Sequence, residues 1–422
     1  MKKAMLKTSL GVAVALASSQ LLASGFALNE QSISGMGTGF AGRSSSAEDA
    51  STVFGNPAGM SRLKREQVTV GGAAVIAKTD ISGPGSNLGG ETDGDMVPVV
   101  GVPMGYYVKP IDDHWSVGFG VYVPFGLVTD YGSDDAARYW GKKSHVQVIT
   151  FQPTVSYAFN DKVSIGFGPT INRIEGELGS SLINPFGPAG QNDGEVKIKG
   201  DDTAVGYNIG ILVQATDRTR IGLTYHSMVD YKLEGKTRVS TPLIGPYDGS
   251  KFDATLKIKT PESIDLSVTH ELDDHWTLYA GSTWTRWSRL ENITVQNDVP
   301  TALQGSAFET ITEEQNWHDT WAHAIGASYR VNKEWVLRTG FSVDQSPTNN
   351  TDRSPRIPTG DRKIFSLGAG WSPNDDMTID VAYSYLWEED TKVNQVSTTK
   401  GSYQAKYENS AHGIGASLTY RF

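Results

Sequence analysis

Apolar and polar residues alternate with a period of two in about fourteen separate stretches of this chain. Nowhere past Ala23 is there the run of roughly 18 apolar residues that a membrane-crossing helix requires. The last stretch shows the pattern. Phe422, Tyr420, Leu418, Ala416 and Ile414 form one face, and Arg421, Thr419, Ser417, Gly415 and Gly413 the other. That is the period of a strand apolar on one side. A soluble sheet hides such a face in a core, whereas a barrel turns it to lipid and pairs every backbone group within a closed wall. The start of the chain decides between them. Lys2, Lys3 and Lys7 precede an apolar stretch from Leu10 to Leu16, and Ser18-Ser19-Gln20-Leu21-Leu22-Ala23 follows. This is a secretory signal peptide over residues 1–23, cleaved after Ala23. An exported chain of recurrent amphipathic strands predicts an all-β, antiparallel transmembrane barrel in the outer membrane of a Gram-negative bacterium.

Punctuation gives the strand count. Six short polar turns, at Asp112-Asp113-His114, Asn160-Asp161-Lys162, Asp217-Arg218-Thr219, Asp273-Asp274-His275, Asn332-Lys333-Glu334 and Pro373–Asp376, alternate with seven longer Gly-, Pro- and Asn-rich connections. The long ones run Ile81–Met96, Tyr131–Ser144, Gly179–Asp202, Val239–Ser250, Gln296–Asn316, Gln345–Gly360 and Glu388–Ser402. Six turns and seven loops require fourteen strands, over residues 66–422, with short turns in the periplasm and long loops outside. Trp115, Trp276, Trp284, Trp287, Trp317, Trp321, Trp335 and Trp371 crowd strand ends and predict aromatic girdles at the two water boundaries. The mean hydropathy of −0.32 fits, since only alternate residues meet lipid.

Composition excludes several classes. There is no cysteine, hence no disulfide framework or thiolate metal site. The net charge of −10, with acid concentrated in the loops, argues against nucleic acid. Solvated surface accounts for the acidic clusters, and divalent cations bridging them to anionic lipid are the sharper alternative. Glu91-Thr92-Asp93-Gly94-Asp95 lacks the full ligand spacing of a calcium loop. Gly37-Thr38-Gly39-Phe40-Ala41-Gly42 matches a dinucleotide pattern but follows no strand, so it reads as flexible backbone. No Gly-x-Ser-x-Gly elbow and no His-Glu-x-x-His motif occurs, so neither enzymatic activity nor a cofactor is expected.

Residues 24–65 are rich in Gly, Ser and Ala and lack strand alternation. They carry Phe26, Leu28, Ile33, Met36, Phe40, Val53, Phe54 and Met60, too many apolar groups for a solvated tail, and a barrel of this size has room for a plug. The third strand alternates through Trp115, Val117, Phe119, Val121 and Val123, then meets Pro124-Phe125-Gly126. Proline removes a ladder donor and glycine marks a bend. Pro103 and Pro153 lie in the flanking strands, so this part of the wall is read as an opening or a corner-making bulge.

The plug carries a resemblance. Ser24-Gly25-Phe26-Ala27-Leu28-Asn29-Glu30, Ser34-Gly35-Met36-Gly37, Glu48-Asp49-Ala50 and Asn56-Pro57-Ala58 resemble the hatch of FadL, the outer-membrane long-chain fatty acid transporter family. Trp284 through Ser288 in the ninth strand, Asp361-Arg362 entering the twelfth, and the terminal aromatic are weaker echoes. The resemblance implies a monomer carrying hydrophobic compounds, long-chain fatty acids or, in one branch, aromatic hydrocarbons. Ligand would be caught at an outer groove, pass to an interior pocket beside Phe26, and leave into outer-membrane lipid through a gap at the kinked third strand. On this reading Phe26, Leu28, Asn56, Pro57, Ala58 and Gly59 seat the hatch, and Pro124, Phe125 and Gly126 form the lateral opening. A carboxylate needs a cation, and arginine binds both its oxygens. Alternation points Arg330 and Arg338 inward, and Arg362 stands at the mouth of its strand. The family's basic positions near the inner ends of the fifth and tenth strands match only Arg173, beyond Pro169, and His318, so this chain departs from the family there. A general aqueous porin is the competing channel, and an outer-membrane hydrolase or adhesin a third class. A porin needs neither a hatch nor a proline-broken wall.

A free carboxyl end on an amphipathic strand with a terminal aromatic suits recognition by barrel-assembly machinery. Deleting Phe422, or replacing it by Asp, is expected to lower the yield of heat-modifiable, membrane-inserted protein on gels. Wild-type insertion would contradict this role of the terminus.

Overall fold

The wall is a single antiparallel sheet that closes on itself. The computed structural model describes residues 25–92, 94–184, 186 and 192–422, so the signal peptide lies outside the described residues. The strands are β1 (Gln67–Ser86), β2 (Val100–Pro110), β3 (Trp115–Asp130), β4 (Lys143–Ala158), β5 (Val163–Leu182) and β6 (Gly194–Thr216). Four interrupted strands follow: β7 (Thr219–His226, Val229–Ser240), β8 (Lys251–Thr260, Ser263–Glu271), β9 (Trp276–Thr285, Asn292–Asp298) and β10 (Thr310–Glu314, Thr320–Arg330). The circuit ends with β11 (Trp335–Asp344), β12 (Arg362–Asn374), β13 (Met377–Glu388, continued after a two-residue break by Thr391–Ser397) and β14 (Gly401–Arg421). β1 pairs with β14 from Gln67↔Arg421 to Ser86↔Tyr403, which leaves no free edge there. The fourteen strands, six short turns and seven long loops match the count from punctuation.

Alternation separates the two faces. Val117, Phe119, Ile165, Phe167, Leu337 and Phe341 lie exposed on the outer surface, where hydrocarbon is their solvent. Trp115, Trp276, Trp335 and Trp371 are exposed beside the short turns as one girdle. Trp287 and Trp317, expected in that girdle, are buried at 1% and 5% exposure. The ninth strand does not continue through Trp284–Ser288. It breaks after Thr285 into a short turn, Trp287–Arg289, and the tenth breaks alongside it, which turns both indoles into the lumen.

The turns explain the repeated Asp-Asp-His-Trp. Asp112 Oδ1 accepts from the amides of His114 (2.8 Å) and Trp115 (2.7 Å), and Asp273 does the same for His275 and Trp276. The Trp115 and Trp276 amides hold these two exposed carboxyls below the usual aspartate range. On the other side the strands outrun the bilayer. β5 and β6 pair up to Leu182↔Gly194, within the expected loop Gly179–Asp202. Val196 and Ile198 alternate with Glu195, Lys197 and Lys199 in this extension, so the ladder and its period continue past the expected strand end.

Residues 25–65 are lodged inside the barrel. Helix α1 (Ile33–Gly37) packs on β12, β13 and β14, and the 3-10 turn Pro57–Arg62 packs on β4, β5 and β6. Wall glycines admit this backbone. A Cβ on Gly340 would come within 1.9 Å of Thr38 O, and one on Gly222 within 1.8 Å of Ser44 O. Arg338 of β11 clamps the segment electrostatically, 2.9 Å from Glu48 and 2.7 Å from Asp380 of β13. Removing one partner of a buried pair costs about 3–5 kcal/mol. Arg338→Met is therefore expected to speed amide exchange over residues 33–62 while the heat-modifiable barrel band persists. Unchanged exchange would show that the clamp contributes nothing.

Candidate functional site

A proline-led bulge displaces the upper half of β3. Against β4 the register runs normally to Tyr122↔Thr150, then shifts and resumes at Phe125↔Val148. Against β2 the pairing ends at Met104↔Tyr122. Continuing that register would set Val123–Gly126 opposite Val100–Pro103, and none of those pairs forms, although Val100 and Pro103 remain paired with β1. Both readings of Pro124-Phe125-Gly126 thus describe part of the geometry: a bulge on the β4 side, a ladder gap on the β2 side. A second interruption lies nearby. The β4–β5 ladder stops at Phe151↔Ile171 and resumes at Val155↔Phe167, with Pro153 and Pro169 in the break.

The N-terminal segment fills the β3 edge from inside. The Leu28 amide donates to Pro124 O (2.8 Å), the Gly126 amide donates to Phe26 O (2.8 Å), and Ala27 bridges Phe125 in antiparallel fashion. Gln31 Nε2 donates to Val123 O at 2.7 Å. The bulge also resets side-chain parity. Val123, which continues the lipid-facing series in sequence, is 3% exposed and packs with Leu28, and Phe125 turns into the lumen.

There Phe125 completes an aromatic cage. The Phe26 ring lies 5.6 Å from Phe125, 5.0 Å from Trp287 and 6.1 Å from Trp317. The Trp287 indole N–H has no acceptor among the described residues. Beneath the cage is a central cavity of about 130 Å³, lined by Phe40, Phe54, Val229 and Ile364 and by the polar groups of Asn172, Asn208 and Arg43. On the long-loop side a groove of about 280 Å³ runs between Leu178, Leu182, Val196, Ile198, Val295, Phe308 and Ile311. Arg356, Lys400 and Glu313 also line it. A smaller apolar cavity shares Leu178, Ile198, Ile293 and Val295 with this groove. Val146 and Ile258, which line that cavity, pack against the Phe26 cluster. Apolar side chains are therefore continuous from the outer groove to the cage.

The residues singled out from sequence fall into three groups. Phe26, Leu28, Pro124, Phe125 and Gly126 meet at the β3 gap. Asn56, Pro57, Ala58 and Gly59 are buried away from it, as the anchor of the segment. Asn56 Nδ2 donates to Ser44 O (2.7 Å) and Ile211 O (3.0 Å), and its Oδ1 accepts from the Ala58 amide. The basic candidates do not converge on the cavity. Arg173 lies on the outer face, 2.7 Å from Asp201, because β5 keeps its parity through Pro169. His318 is exposed in the break of β10. Arg330 has inward parity but stands exposed at the short-turn end of its strand. Arg338 is the clamp already described, and Arg362 is fully buried 3.7 Å from Asp344. Sequence reasoning missed Trp287, Trp317 and Arg43. Loss of alternation at the same level in neighbouring β9 and β10 is the signal that marks the two tryptophans.

A family model described as "Outer membrane protein transport protein (OMPP1/FadL/TodX)" matches residues 14–422. A long-chain fatty acid transport protein of Escherichia coli O6:H1 is 29% identical over 447 residues, covering 99% of this chain and 98% of that protein. The crystal structure of a Pseudomonas aeruginosa FadL homologue superposes with a TM-score of 0.84 at 25% identity, over 94% of this chain and 100% of the other. The toluene transporter TbuX of Ralstonia pickettii shares the fold, with a TM-score of 0.68 at 19% identity over 92% of this chain and 97% of that one. The chain belongs to the FadL/TodX family, a non-enzymatic group of Gram-negative outer-membrane β-barrels that transport hydrophobic compounds.

Proposed function

We propose that this barrel carries long-chain fatty acids by passive diffusion and releases them sideways at β3. The observation that carries the reading is the edge of β3, where the N-terminal segment takes the place of the β2 residues that do not pair. An acyl chain enters the outer groove with its carboxylate toward Lys400, whose ammonium lies 5.1 Å from the Trp140 ring and 3.9 Å from Glu313. Arg356 is less available there, because Glu313 (3.0 Å), Lys143 O, Ser144 and Ser180 occupy its guanidinium. The chain then follows the apolar side chains to the Phe26 cage and displaces that ring. Withdrawal of Phe26–Leu28 frees the β3 edge, and the acyl chain leaves through the gap into lipid. Each step trades one apolar environment for another, so no energy source is required. One barrel contains the whole path, and the protein acts as a monomer.

Monoaromatic hydrocarbons are the second reading, supported by the four-ring cage, which suits a flat ring as well as a chain. Competition between radiolabelled oleate and toluene for uptake in a transporter-null host separates the two.

Closing the gap tests the lateral step. Val at positions 124 and 126 restores a donor and removes the bend, favouring continuous pairing with Val100–Pro103. The Pro124→Val, Gly126→Val double variant is expected to lose most oleate uptake at matched surface level, with an unchanged heat-modifiable band. Undiminished uptake would place the exit elsewhere.

A further inference from the structure

Any anionic amphiphile that reaches the central cavity must leave its carboxylate beside a cation or lose it to protonation. The arginines of the wall do not supply one, since Arg338 and Arg362 are engaged by wall and hatch carboxylates and Arg173 faces outward. Arg43 differs. It belongs to the N-terminal segment and is the one Lys or Arg among the described residues lining the cavity. Its Nη2 donates to Asn29 Oδ1 at 2.7 Å, and it makes no ion pair among the described residues. A guanidinium has five N–H donors, so most of its capacity is unspent. Glu30, also buried, forms no ion pair with Arg43 among the described residues. The cavity's own carboxylates make no ion pair with Arg43: Asp265 Oδ2 accepts from Thr283 at 2.6 Å while its Oδ1 has no partner among the described residues, and Asp344 lies 3.7 Å from Arg362.

We propose that Arg43 is the headgroup anchor of the central cavity, selecting long-chain carboxylates over uncharged chains of the same length. This deepens the fatty-acid reading above and rests on it. The anchor sits on the seated part of the segment and is tied to the part that moves. Asn29, which orients Arg43, follows directly on Leu28, whose amide is tied to Pro124 O. A carboxylate that takes the Arg43 guanidinium competes with Asn29 and so acts on the residue next to the β3 contact. Charge recognition and release of the gap are then linked through two adjacent residues of one segment.

The test is retention of radiolabelled oleate and of its uncharged methyl ester by the purified protein in a non-ionic detergent, at a mildly alkaline pH where the acid is ionised. Losing a charge-assisted pair should weaken oleate about tenfold or more in Arg43→Gln. The ester should be held as by wild type, and Arg43→Lys should recover part of the loss. Equal loss of acid and ester in Arg43→Gln would make the residue a structural element of the segment and overturn the proposal. Unchanged oleate retention would overturn it too. If wild-type protein holds the ester and not oleate, the fatty-acid reading falls and takes this one with it. If wild type holds both and Arg43→Gln is indifferent, only the assignment of Arg43 falls.

Discussion

In hydrocarbon no water satisfies a backbone amide, so each unpaired N–H or C=O in a barrel wall needs a partner from the protein. The bulge at Pro124 creates that need on one edge of β3, and the peptide from Phe26 to Leu28 meets it with two hydrogen bonds of 2.8 Å. The rest of the site depends on this substitution of hatch for wall. It fixes the start of the N-terminal segment and holds the Phe26 ring against Trp287 and Trp317. It also makes the gap conditional, since the edge is closed only while the segment stays.

The remainder of the segment is held by stronger means and at greater distance. The Glu48–Arg338–Asp380 clamp, the Asn56 hydrogen bonds to Ser44 and Ile211, and the wall glycines fix residues 33–62 on both sides of the lumen. The contrast matters for the proposed route. Two backbone hydrogen bonds and one aromatic ring can exchange with a ligand of comparable apolar area, whereas a buried ion triad cannot. On the proposed route local opening is confined to the first few residues, and the plug stays seated while the edge moves.

Much of the architecture was legible because lipid enforces a strict period. Every membrane strand must alternate, so the strand count and the short turns followed from residues such as Trp335, Leu337 and Phe341 and from the Asp-Asp-His-Trp repeats. Legibility ended where that constraint ended. Beyond the expected strand ends β5 and β6 stay paired, with Val196 and Ile198 alternating with Glu195, Lys197 and Lys199 toward the outer groove rather than toward lipid. Where β9 and β10 break, Trp287 and Trp317 leave the girdle for the lumen. The arginines mislead for a related reason. Parity states which side a residue faces but not what it meets there, so inward Arg338 binds Glu48 and Asp380 rather than a ligand, and Arg330 has inward parity but stands exposed at the short-turn end of its strand. Arg43 lies in a segment with no period at all, and only the folded lumen reveals its place.

Passage on the proposed route requires the Phe26–Leu28 segment to leave β3, and one covalent bond tests this. Ala27 and Phe125 are bridge partners between flanking hydrogen bonds, a non-hydrogen-bonded antiparallel pair whose Cα spacing of about 4.5 Å suits a disulfide. The chain has no cysteine of its own, so Ala27→Cys with Phe125→Cys creates one defined bond. Oleate uptake is expected to stop when the pair is oxidised and to return when it is reduced. Uptake by the fully oxidised protein at the rate of its reduced form would contradict it.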